Sequence, residues 1–284
     1  MPLSQRSRII INADDFGLSA GVNAGIRSAH RDGILTSATL LANAPAFDQA
    51  VHISKEEPRL GVGVHLNIVR GAPLSPPGEI MLLVDGHGVF RRFRFRHCTG
   101  TFLAQAEREY RRQIEKVLKA GIRPDHVDFE KHHAWQAPLY ELAARLAEEY
   151  GIRAIRSLRE PVVWAIRHMG WPGARNAAMA ALLRTGVQML GGATALARPD
   201  WFLGQTHIGR MDEKAWTHLL DNPPAGVIEV MTHPGLPDAE KDGAMGASWL
   251  ETARSVELAA LVSPDIRKKF ADSGATMCRF SDIF

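Results

Sequence analysis

Asp14 and Asp15 stand side by side after Ile9-Ile10-Ile11-Asn12-Ala13 and before Phe16-Gly17. Adjacent carboxylates repel each other unless something positive lies between or beside them. A divalent cation would answer that repulsion, with one carboxylate as ligand and the other free to take a proton. An Asp N-cap with a turn Asp accounts for these four residues more simply. His65 sits in Gly61-Val62-Gly63-Val64-His65-Leu66; a lone imidazole in such a run is more often a hydrogen-bonded core residue than a ligand. His126, Asp128, Glu130 and His132 alternate with apolar Val127 and Phe129. On a strand they share one face, and that face is either a wet edge or a place where charges are paired or coordinated. His233 precedes Pro234-Gly235. A turn there holds the imidazole at a strand end, where it serves as general acid or base or is simply a surface histidine.

The elements that would position these residues are short apolar runs alternating with helical patterns, the signature of parallel βα units. Strands are expected at Ile9–Ile11, Thr36–Leu41, Val62–Ile68, His126–His132, Ala154–Ser157, Thr206–Gly209, Val227–Thr232 and Thr276–Phe280. Ser19 suits an N-cap, and Val22, Ile26 and Ala29 recur at helical spacing up to Gly33. Further helices are expected over Ala46–Lys55, from Leu103 to Gly121, from Leu139 to Gly151 and over Asp212–Leu220. The stretch from about Arg70 to Gly100 is rich in Pro and Gly and reads as a long loop. Pro161–Leu196 is rich in Ala, Leu, Met and Arg and reads as a helical insertion near 160–200. Such a series predicts one α/β domain over 1–284, a distorted TIM-like (β/α) barrel, with a doubly wound open sheet as the alternative. In a barrel the C-terminal strand ends converge on one face, and Asp14, Asp15, His65, Glu130, His132, Arg156, Glu229 and His233 all fall near such ends.

Composition narrows the classes. Hydrophobic residues make up 45% of the 284 and charged residues 23%, which excludes disorder as the main state. The only cysteines are Cys98 and Cys278, which excludes a disulfide scaffold. Thirty-four bases against 31 acids give a charge of +3, too small an excess to argue for nucleic acid. The basic run Arg91–His97 reads as a solvated loop or an edge against an anionic surface. With no long apolar stretch and no secretory leader, the expectation is a cytoplasmic protein without a membrane span.

Asn12-Ala13-Asp14-Asp15-Phe16-Gly17-Leu18-Ser19, Gly63-Val64-His65-Leu66, Pro124-Asp125-His126-Val127-Asp128 and Glu229-Val230-Met231-Thr232-His233-Pro234 together resemble the YdjC-like carbohydrate deacetylases, in order over nearly the whole chain. Ala197–His207 and Gly209–Glu213 resemble the subgroup associated with hopanoid biosynthesis. The resemblance implies a distorted barrel of the sugar-deacetylase type and metal-dependent removal of acetyl groups from N-acetylated sugars. It implies Asp15 and His65 as metal ligands, Asp14 as catalytic base, His233 as the acid, and Arg156 as orienting Asp14 or binding substrate. One position departs from the family pattern: Glu130 stands where the family usually has its third ligand, a histidine. Either Glu130 ligates, hardening the site toward Mg2+ or Mn2+, or His132 supplies a nitrogen, or the ion is lost. Retention of one divalent ion is expected, Mg2+ first, with Zn2+ or Mn2+ as alternatives.

The expected substrate is an N-acetylated sugar or a glycolipid, with peripheral membrane contact and a homodimer compatible with the chain. A metal-dependent phosphoesterase competes, although the chain lacks a phosphate-binding Gly-rich loop. A non-catalytic sugar-binding descendant is the third reading, motivated by Glu130.

Overall fold

The computed structural model describes residues 7–91, 98–131, 136–161, 186, 194–205, 207–237 and 250–284, without the side chain of Glu251. Most of the expected helical insertion, His132 and nearly all of the basic run lie outside the described residues.

Elements alternate along the chain: β1 (Arg8–Phe16), α1 (Ala20–Arg31), β2 (Ser37–Leu40), α2 (Phe47–Glu56), β3 (Gly61–Leu66), α3 (Gly100–Lys119), β4 (His126–Phe129), α4 (Ala137–Glu149), β5 (Ala154–Ile155), β6 (Trp201–Leu203), α5 (Glu213–Asp221), β7 (Val227–Thr232), α6 (Glu251–Val262), α7 (Pro264–Asp272) and β8 (Thr276–Cys278). Seven strands follow the order β5-β4-β3-β2-β1-β7-β6. Every pairing between named strands is parallel. The two edges meet through a parallel bridge of Ala154 with Ala197 and through Phe202 N–H donating to Arg159 O at 2.7 Å. The sheet thus curls into a distorted (β/α) barrel.

Period-2 alternation explains the two cores. Ile9, Ile11, Ala13, Val62, Val64, Val127, Phe129, Ile228 and Val230 face outward and join the large cluster packed by the helices. Inward-facing Ile10 and Ala154 join Cys278 and Phe280 in a small cluster. β8 pairs with Arg8–Ile10 at the start of β1, so the C-terminal segment plugs the N-terminal mouth of the barrel. His126 stacks on Phe280 there, ring centroids 3.6 Å apart. Gly63 faces the His126 ring so closely that any Cβ would overlap it.

Three expectations shift. The strand placed at Thr206–Gly209 falls at Trp201–Leu203 instead, because Gly204 (φ 105°) turns the chain against the Met231 backbone. Strand β4 ends at Phe129; Glu130 and Lys131 form a turn, with Lys131 at φ 48°. Helices α6 and α7 occupy a stretch for which the sequence suggested none.

Candidate active site

The site begins with a local irregularity in β1. Ala13 pairs with Ala38, but Phe16 pairs with Leu40, so an extra residue bulges from the strand between them. Asp15 takes the left-handed conformation, φ 69°. In a regular strand Asp14 and Asp15 would point to opposite faces; the bulge turns both toward the barrel mouth, where each is 3% exposed. A non-glycine residue in that region costs free energy, and it persists where surrounding contacts fix it.

Arg156 follows β5 and is fully buried. Its Nη2 and Nη1 grip Asp14 Oδ1 and Oδ2 at 2.6 and 2.9 Å, its Nη1 lies 2.8 Å from Asp128 Oδ2, and its Nε donates to Glu229 Oε1 at 2.7 Å. Asn12 Nδ2 donates to Asp14 Oδ1 at 3.0 Å. Burial alone would raise the Asp14 carboxyl, but Arg156, with His65 and His233 behind it, holds it well below the usual carboxylate range. Three carboxylates occupy the Arg156 guanidinium and no part of the side chain is exposed, an arrangement that suits orienting Asp14.

His65 lies between two acids of the β4 run. Its Nδ1 is 2.7 Å from Asp128 Oδ1 and its Nε2 is 3.1 Å from Glu130 Oε2. Burial disfavours the imidazolium, yet Asp128 and Glu130 together raise the pKa of His65 well above the ordinary value. Two overlapping groups have donor atoms within 4.8 Å of one another, Asp15–His65–Glu130 and Asp14–His65–Asp128. In the second, both carboxylates already face the fixed positive charge of Arg156. The first is the better cation site: Asp15 Oδ1 and Glu130 Oε1 stand 3.9 and 3.7 Å from Arg70, a looser contact than the grip of Arg156 on Asp14 and Asp128, and Asp128 on the other ring nitrogen would set the tautomer that presents Nε2. Both groups use His65, so the described residues fit one ion rather than a pair.

Two further arginines flank the first group. Arg254 Nη2 pairs with Asp15 Oδ2, and Arg70 Nη1 lies 3.9 Å from Asp15 Oδ1 and 3.7 Å from Glu130 Oε1. Burial would raise the Asp15 carboxyl, but Arg254, His233 and Arg70 hold it well below its usual range. Arg70 is delivered by a rigid loop: Asn67 accepts from Arg70 N–H at 3.0 Å, and Gln113 accepts from Asn67 N–H at 2.9 Å. His233 follows β7, buried, with its N–H donating to Glu257 Oε2 at 2.6 Å. Burial works against protonation of His233, while Glu257, Asp14 and Asp15 raise its pKa.

Asp14, Asp15, His65, Glu130, Arg156 and His233 thus converge on one mouth of the barrel. His126 does not: it sits deeper, its Nδ1 2.7 Å from Asp125 Oδ1. His132 lies outside the described residues. Sequence reasoning missed Arg70, Arg254 and Glu257, which carry no motif and come from a loop and a helix rather than from strand ends.

Residues 8–272 match the model of the family described as YdjC-like protein. The chain is 31% identical over 276 residues to a protein of Brevibacillus brevis named carbohydrate deacetylase, covering 97% of this chain and 99% of the relative. A protein of Geobacillus stearothermophilus with the same name is 30% identical over 279 residues, 97% of each. Among solved structures, a candidate cellobiose-phosphate cleavage protein from Enterococcus faecalis superposes with a TM-score of 0.78 at 25% identity, covering 98% of both chains.

Proposed function

The chain belongs to the YdjC-like family, and from that premise we propose that it is a carbohydrate deacetylase, a hydrolase that removes the acetyl group from an N-acetylated sugar with one divalent ion. The observation that carries this reading is the pair of neighbouring carboxylates doing different work. Asp15 joins His65 and Glu130 in a group that fits a cation, while Asp14 is turned to Arg156. Asp15, His65 and Glu130 would hold the divalent ion, which when bound would supply Lewis acidity toward an acetamide carbonyl and a water.

The protein's own groups do the rest. Asp14 stays ionised and accepts the proton of the attacking water. Arg156 fixes the Asp14 carboxylate through both oxygens and keeps it from swinging. His233, held as imidazolium, gives its proton to the departing amine nitrogen, so acetate and a free amino sugar leave. The two-carboxylate donor set favours Mg2+ or Mn2+ over softer ions. The segments Ala197–His207 and Gly209–Glu213 support placement in the hopanoid-associated subgroup, with a glycolipid substrate met from the cytoplasmic side. Among the described residues no helix is long and apolar enough to cross a membrane.

The test is acetate release from a panel of N-acetylated sugars and glycolipids, with and without chelator. Chelator-sensitive release supports the proposal; no release from any member in the presence of Mg2+, Mn2+ or Zn2+ refutes it.

A further inference from the structure

Helix α6 carries no recognisable motif, yet it meets the site twice. Arg254 pairs with Asp15 Oδ2. One turn on, the two oxygens of Glu257 accept from the backbone N–H groups of His233, at 2.6 Å, and Met211, at 3.3 Å. Glu257 Oε2 also lies 3.7 Å from His233 Nδ1, which has no hydrogen-bond partner among the described residues. Arg254 is 5% exposed and Glu257 fully buried. Two opposite charges three residues apart on the buried side of a helix are costly to bury unless each finds a partner, and here Arg254 meets Asp15 while Glu257 meets His233 and the Met211 backbone.

The helix itself is anchored without them. Ile34 N–H donates to Leu261 O at 3.1 Å, Gly235 N–H donates to Arg254 O at 3.3 Å, and Leu258, Ala260 and Leu261 pack in the main core. The helix therefore has anchors besides these two side chains, whose contacts with Asp15 and His233 are directed at the barrel mouth.

We propose that α6 is the positioning element of the site, with Arg254 orienting Asp15 as an ion ligand and Glu257 orienting His233 toward the departing group. The roles named rest on the deacetylase reading; the contacts can be tested without it. By occupying Oδ2, Arg254 leaves Oδ1 as the Asp15 atom turned toward an ion. Glu257 fixes the His233 backbone and sets an anion beside Nδ1. Among the described residues, the charged groups facing His233 are Glu257 from α6 and Asp14 and Asp15 from β1, with Arg254 on the far oxygen of Asp15.

The experiment measures Mn2+ binding by calorimetry and the titration of the His233 ring by NMR, on wild type, R254M and E257Q, with V256A on the exposed side of α6 as control. R254M is expected to weaken Mn2+ binding by about 10–100-fold while the His233 titration stays raised. E257Q is expected to keep Mn2+ affinity while His233 titrates at lower pH. V256A should change neither. Should either variant fail to fold, R254K and E257D carry the same comparison, each with a smaller effect in the same direction. Wild-type Mn2+ affinity in R254M, or an unmoved His233 titration in E257Q, overturns the proposal. So does loss of both properties in both variants in step with Tm, which marks a helix that only packs. A wild type that releases no acetate sinks the deacetylase reading but leaves these two measurements decisive.

Discussion

Asp14 and Asp15 are chemically identical neighbours whose surroundings divide their work. Arg156 claims both oxygens of Asp14, whereas Arg254 claims one oxygen of Asp15, which groups with His65 and Glu130. Asp14→Asn keeps the shape and one acceptor for Arg156 but removes the proton acceptor. Turnover should fall by about 10²–10⁴-fold, while Mn2+ affinity measured by calorimetry stays near wild type. A mutant with wild-type turnover would remove Asp14 from the base role. The third ligand is decided by a second pair of variants. Glu130→Ala should strip the ion, since its carboxylate lies 3.1 Å from His65 Nε2. If metal content survives that change and His132→Ala abolishes it, the ligand is His132.

Among the elements, β1, β3, β4 and β7 announced themselves because each carries an apolar face, and α1 because Ser19 caps it, accepting from Val22 N–H at 3.2 Å. Helix α6 did not, since Arg254 and Glu257 interrupt the apolar stripe on its buried side; the residues that make it functional are those that hide it from periodicity. The bulge at Asp14–Asp15 was equally invisible, because adjacent residues on a strand are expected on opposite faces. Close packing of α1 on the His233 turn was legible only as two glycines. A Cβ at Gly25 would stand 2.5 Å from Gly235 Cα, a backbone atom that cannot rotate away. Gly25→Ala should therefore push the Pro234-Gly235 turn outward and displace His233. We expect a loss of about 1–3 kcal/mol in stability and a lower kcat with unchanged Mn2+ affinity. An enzyme with wild-type kcat and Tm would show that α1 does not set the turn.

For the whole molecule, the barrel was legible from alternating βα patterns, but not that its interior holds a column of buried charges in which Arg156 meets Asp14, Asp128 and Glu229. Those charges make stability depend on pH in a stated direction. Burial raises the Glu229 carboxyl to about 7, with Arg156 opposing and Asp128 adding to it. Its unfolded value is near 4.5. A raised pKa means that the folded state keeps a proton the unfolded chain releases. The resulting stabilisation is complete below the unfolded value and is lost as pH climbs through about 7. Asp14 and Asp15 act oppositely: their depressed pKa values contribute stability above the unfolded value of 3.8, lost as pH falls further. Glu229→Gln fixes the neutral form and still accepts from Arg156 Nε. In chelator-treated protein, denaturant unfolding should give similar stabilities for the two proteins near ~pH 5. Toward ~pH 8 the variant should become the more stable, by at most about 3 kcal/mol. Parallel pH curves would mean that Glu229 is ionised throughout, and that Arg156 alone outweighs its burial.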